Sequence, residues 1–87
     1  MQFEGAKIRQ QGVVFGIVVV KKHVLQSRDE QFAARALGTR VFGLVPIVLM
    51  AQDHRWIATF QGRPDIVKFL SHVGLNRIPW KKYTLAA

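Results

Sequence analysis

Cysteine is absent from this chain. That excludes disulfides, thiolate metal sites and thiol redox chemistry, so packing alone must hold the fold together. Acidic residues are scarce, five against thirteen Lys and Arg, which leaves a net charge of +8. Such an excess favours polyanionic partners: nucleic acid, an anionic membrane surface or an acidic protein. No apolar run is long enough to span a bilayer. The longest, Gly12–Val20, has nine residues, where a helix needs about 20. It follows a Gln-rich, charged lead and ends in Lys21-Lys22 rather than a small-residue cleavage site, so no secretory signal is expected. A cytoplasmic location is the resulting expectation. There is no Gly-rich phosphate loop, and no second carboxylate lies near Asp53. His23, His54 and His72 show no HxH or HxxxH spacing. Neither a metal nor a cofactor is expected.

The chain is well supplied with core-forming residues. Its 87 residues, 49% of them hydrophobic, suit one folded domain over 1–87 and exclude a disordered chain. The run Gly12–Val20 is mostly β-branched and closes on Lys21-Lys22-His23. It reads as a strand covered on both faces, which calls for a layered α/β domain. Met1–Gln11 has only Phe3 and Ile8 as sizeable apolar anchors. It reads as either a short edge strand or a frayed arm.

Ser27 with Glu30 three residues later forms a capping box, with Asp29 adding favourable charge in the first turn. Ala33, Leu37 and Val41, with Ala36 beside them, form an apolar stripe at helical spacing. The spacing predicts a helix to Phe42 capped by Gly43. Val45–Ala51 is expected as a second buried strand, with Pro46 tolerated at its start. Gln52–Arg55 is a polar turn into a third strand, Trp56–Phe60. Pro64 and Asp65 open a second helix. Ile66, Phe69, Leu70 and Val73 line one side of it, and Gly74 caps its end. Ile78, Trp80, Tyr83 and Leu85 make the tail too apolar to float free, and an edge strand is expected after Pro79.

The expected fold is therefore a small mixed α/β sheet in β-α-β-β-α order with a basic aromatic C-terminal tail. Val14, Ile17, Val19, Ile47, Leu49, Phe69 and Leu70 are expected to share one core. The segment Val45–Gly74 resembles the C-terminal part of the thioredoxin fold, with Val-Pro at a strand start, a hairpin, a Gly and an amphipathic helix. That resemblance implies a cis Val45–Pro46 bond. Without cysteine it carries over a scaffold only, and no redox chemistry.

Two groups of residues are candidates for function. Trp80-Lys81-Lys82-Tyr83, preceded by Arg77, interleaves aromatic and basic side chains, a pattern that stacks on bases while neutralising phosphates. With Lys7, Arg9, Lys21 and Lys22 it can form one positive surface. The second group is a crevice at the carboxyl ends of the two parallel strands, holding His23, Asp53, His54 and Arg55. An enzyme built on Asp53 and these histidines ranks below binding. The leading expectation is a non-catalytic domain that binds nucleic acid or another polyanion. The alternative is a redox-inactive thioredoxin-like module that binds protein, or a homodimer, through a sheet edge.

Overall fold

The β-branched run forms the middle strand of a five-stranded sheet. The computed structural model describes residues 1–85. Its elements are β1 (Gln2–Gln10), β2 (Val13–Val19), α1 (Arg28–Phe42), β3 (Ile47–Gln52), β4 (Ala58–Gln61), α2 (Pro64–Leu70) and β5 (Lys81–Thr84). Short 3₁₀ turns follow β2 at Lys22–Gln26 and precede β5 at Leu75–Arg77. The sheet order is β4-β3-β2-β1-β5. β2 and β3 are parallel and joined through α1; every other neighbouring pair is antiparallel. The structure is a small mixed α/β domain with two helices; β1 precedes the expected β-α-β-β-α order, and β5 forms at the sheet edge after Pro79. Among the described residues no helix is long and apolar enough to cross a membrane.

β1 is not a frayed arm, and only its second half is an edge, because β5 pairs with its first half, Gln2–Gly5. A two-residue turn makes this possible. Gln11 and Gly12 both have positive φ, 51° and 79°, the backbone of a hairpin turn that matches strand twist. The turn pairs Gln10 with Val13 and Gly5 with Val18. The hairpin expected further on does form, though β4 begins two residues late. Trp56 sits in the turn at φ 65° and is exposed, not on a strand face.

The helices cover opposite faces of the sheet, so the hydrophobic residues divide into two cores. Phe15, Ile17, Val48 and Met50 pack with Ile66 and Leu70 of α2 and with Ile78. Val18, Ile47 and Leu49 pack with Phe42 of α1. The single core expected from sequence is thus two. Ile17, Val19, Phe69 and Leu70 fall on the α2 side, Ile47 and Leu49 on the α1 side, and Val14 in neither cluster. Alternation along β2 and β3 imposes this division.

Ser27 Oγ accepts the Glu30 N–H at 3.3 Å, and Gly43 at φ 93° ends α1, as the capping pattern requires. The buried face differs from the one expected. Gly38 and Phe42 are buried and Ala34 packs beside them, whereas Ala33 and Ala36 are exposed. Gly38 explains the rotation: a Cβ there would meet Ile47 Cγ2 at 2.9 Å and Val18 Cγ2 at 3.0 Å. The helix lies too close to the sheet for any larger side chain. α2 ends at Leu70, one turn before Gly74, whose φ of −65° is not a left-handed cap. The expected cis Val45–Pro46 bond does not occur; no peptide bond is cis among the described residues. Pro46 accepts a hydrogen bond from Gly16 N–H at 2.9 Å across a trans backbone.

Two substitutions test the two cores. Leu70 is 1% exposed, so Leu70→Ala should lower the unfolding free energy by about 2–5 kcal/mol. Gly16 lies under the Phe42 ring with no space for a Cβ, so Gly16→Ala should cost about 1–3 kcal/mol. Urea denaturation measures both, and a loss of only a few tenths at either site would contradict the packing described.

Candidate functional site: a basic groove at the free edge of β1

The ladder around β1 is open on one side for half its length. Gly16 N–H bonds Pro46 and Val20 N–H bonds Met50, so the even residues of β2 point to β3. Its odd residues therefore bond β1, and they pair with Ala6, Ile8 and Gln10. The odd residues of β1 are left to face β5. Met1 confirms the phase, exchanging bonds with Leu85 at 2.8 and 3.2 Å. β5 pairs only with Gln2–Gly5. The next position in register sets Pro79 against Lys7, and proline has no N–H to give. Trp80 N–H turns instead to Ile78 O at 2.8 Å. No backbone hydrogen bond joins Lys7 or Arg9 to the segment before β5, so both keep an N–H and a C=O directed outward.

A groove of about 390 Å³ runs along this edge. Lys7 and Arg9 line it along the β1 edge and Arg77 along the segment before β5, together with Phe69, Ile78 and Pro79. Alternation turns the Lys7 and Arg9 side chains toward the α1 face, while Phe69 and Ile78 belong to the α2 side. The three cations are exposed, and no acidic side chain lines the groove. Lys81, paired with Gly5, shares a sheet face with Lys7 and Arg9 and adds a fourth exposed cation beside them. A smaller cavity of about 200 Å³ adjoins through Gln10 and Phe69 and contains Asp65. Arg63 Nε already donates to that carboxylate at 2.8 Å.

The other candidate residues scatter. Lys82 lies on the opposite face from Lys81, across from Glu4. The two lysines of the tail therefore do not act together. Trp80 is part-buried against the α2 core, and its Nε1 donates to Leu75 O at 2.9 Å. Tyr83 stacks on Phe3 at 5.4 Å and meets Phe42 edge-on at 5.0 Å. Both rings anchor the tail and offer no free platform for bases. Lys81 Nζ sits 5.9 Å from the Tyr83 ring centre, a cation–π contact. Lys21 and Lys22 are exposed beyond the end of β2. Lys7 is level with Gly16, which puts Lys21 about 16 Å farther along the sheet.

The crevice residues do not converge on a site. His23 Nε2 lies 3.5 Å from Glu30, with both groups exposed. Asp53 Oδ1 accepts the N–H groups of Arg55 and Ile57 at 2.8 and 3.1 Å, which holds the β3–β4 turn together. His54 and Arg55 are exposed in that turn. The cavity at this end of the sheet is lined by Glu4, Gln52, Leu75 and Trp80 instead. Ser71 Oγ lies 3.2 Å from His72 Nδ1, but both direct their protons to Lys68 O, at 2.7 and 2.8 Å. Ser71 is therefore not an activated nucleophile. Among the described residues no group of three or more acidic or histidine side chains can hold a metal.

No family model, curated protein or solved structure matches this chain. The site is thus read from its geometry. Sequence patterning names Lys7, Arg9 and Arg77 among many cations. It does not select them, because their place along one groove depends on the hairpin and on the position of Pro79.

The adjoining cavity supplies a direct test. The hydrogen bond from Arg63 holds the Asp65 carboxyl below its ordinary pKa, against partial desolvation. The Arg63 charge and the Ile66 N–H add to the lowering. A carboxyl depressed in the folded state stabilises the fold above its unfolded pKa, and that contribution is lost as pH falls through the folded value. Arg63→Ala should move the Asp65 titration, followed by carbon NMR, back up toward the ordinary carboxylate range. An unmoved titration would show that Arg63 does not hold the group.

Proposed function

We propose that the protein is a non-catalytic binding domain for a polyanionic chain, with single-stranded nucleic acid as the leading partner. The observation that carries this reading is that Lys7, Arg9 and Arg77 line one groove at the β1 edge without an acidic residue. Lys81 extends the same positive face, and the outward N–H groups of Lys7 and Arg9 add two neutral donors for phosphate oxygens. The net charge of +8 supplies long-range attraction to any such chain. With Trp80 and Tyr83 packed inward, affinity comes from phosphates and not from stacking, so the domain discriminates little between sequences.

A second reading rests on one observation. Lys7 and Arg9 also direct their C=O groups outward, and a phosphate chain offers no donors to meet them. An acidic peptide laid along the edge as an added strand satisfies both the donors and the acceptors.

Binding titrations across a salt series distinguish these readings. Each phosphate neutralised on a single strand contributes about 0.7 to the slope of log affinity against log salt. Replacing Lys7 and Arg9 together by Ala should flatten the slope by more than one unit with an unchanged thermal melt. Replacing Lys21 and Lys22 should flatten it by less than half as much. Failure of the wild type to bind DNA or RNA oligonucleotides at low salt removes the nucleic-acid reading. Binding of an acidic peptide under the same conditions would then favour the second.

A further inference from the structure

Helix α1 turns one line of residues directly away from the sheet. Ala34, Gly38 and Phe42 face inward. At 3.6 residues per turn, Asp29, Ala33, Ala36 and Arg40 take the opposite line. All four are exposed. Phe32 flanks the line on one side and is 77% exposed; Leu37 flanks the other. Met1, also 77% exposed, walls a depression of about 430 Å³ in front of Ala33, Ala36, Leu37 and Arg40. The outer face of a surface helix is ordinarily polar throughout. This one is apolar through its middle, with a negative charge at one end and a positive charge at the other.

The spacing of the four residues, four then three then four, is that of a coiled-coil seam. We propose that this face pairs with the same face of a second copy of the chain, the two α1 helices lying antiparallel about a two-fold axis between Ala33 and Ala36. Each contact then occurs twice. Asp29 meets Arg40 of the second copy, Ala33 meets its Ala36, and the two Phe32 side chains close one flank while the two Leu37 side chains close the other. The alanines let the helices approach closely, and the larger side chains close over both flanks. Charge selects the direction. A parallel pairing would set Asp29 against Asp29 and Arg40 against Arg40. A foreign helix of one charge sign would satisfy one end of the seam and oppose the other. The face itself is neutral, so the net charge of the chain resides elsewhere. Lys7, Arg9 and Arg77 lie outside α1, which makes this inference independent of the groove.

Sedimentation equilibrium of the full chain at physiological salt tests it. The wild type should be a dimer. Ala36→Glu places a carboxylate from each copy beside the axis while keeping a good helix former at an exposed position. It should weaken the dimer by about tenfold or more without altering the thermal melt of the monomer. Arg40→Asp alone and Asp29→Arg alone should each weaken it as well. The double variant Asp29→Arg/Arg40→Asp should restore the dimer, because the swapped charges again meet their opposites. A monomeric wild type at its highest soluble concentration overturns the proposal. So does an Ala36→Glu dimer as tight as the wild type, or a double variant no tighter than either single one.

Discussion

The ring of Phe42 is the point on which the sheet depends. It closes the C-terminal end of α1 and lies directly over Gly16 on β2, with its edge against Gly5 on β1. Phe3 meets it edge-on at 6.2 Å, and Tyr83 of β5 meets it at 5.0 Å. One side chain therefore ties α1 to three neighbouring strands. The two glycines are what admit it, since a Cβ at either would collide with the ring or the adjoining strand. The aromatic contacts also bring the tail back to β1, where Lys81 comes to rest beside Gly5. Without this cluster β5 would have only a four-residue ladder to hold it, too little for independent stability.

The site follows from where that ladder stops. Pro79 cannot continue it, and the chain departs past Phe69 and Ile78. Half of β1 is left as an edge. Edges of this kind invite unwanted pairing, and charged side chains are the usual protection. Lys7 and Arg9 provide that protection. They also decide which partners the edge can accept, since a neutral or basic strand is repelled or leaves two cations desolvated. A single arrangement thus guards the edge and gives it selectivity.

Much of the fold is legible in the sequence where local chemistry dictates it. Ser27, Glu30 and Gly43 delimit α1 because capping is a short-range matter, and the β-branched run locates β2 for the same reason. What escapes is whatever depends on distant partners. β1 carries few large apolar residues because Gly5 and Ala6 are themselves the packing surface, and a pattern of hydrophobicity cannot register that. The stripe through Ala33 and Leu37 is a real periodicity, but Gly38 shows that close approach, not side-chain size, sets the buried face of α1. The site is less legible still. Trp80 and Lys81 are neighbours in sequence, yet alternation and the turn at Pro79 send one into the core and the other to the surface. Lys81 and Lys82 lie on opposite faces for the same reason. Sequence alone counts the cations but does not distribute them.

The pairing of β1 with β5 also has a bearing on the order in which the molecule assembles. Met1 and Leu85 are joined although 84 positions separate them. The hairpin of β1 and β2 closes a loop of two residues, whereas β5 closes one that includes nearly the whole chain. Loop closure becomes more costly with length, though slowly, and contacts of long range slow folding. β5 is therefore expected to join last and leave first. Each departure would lengthen the open edge from Lys7 back to Met1 and release the Phe3–Tyr83 stack. In amide exchange, the protection of Phe3 and Gly5 should then lapse together, well before that of Ile17.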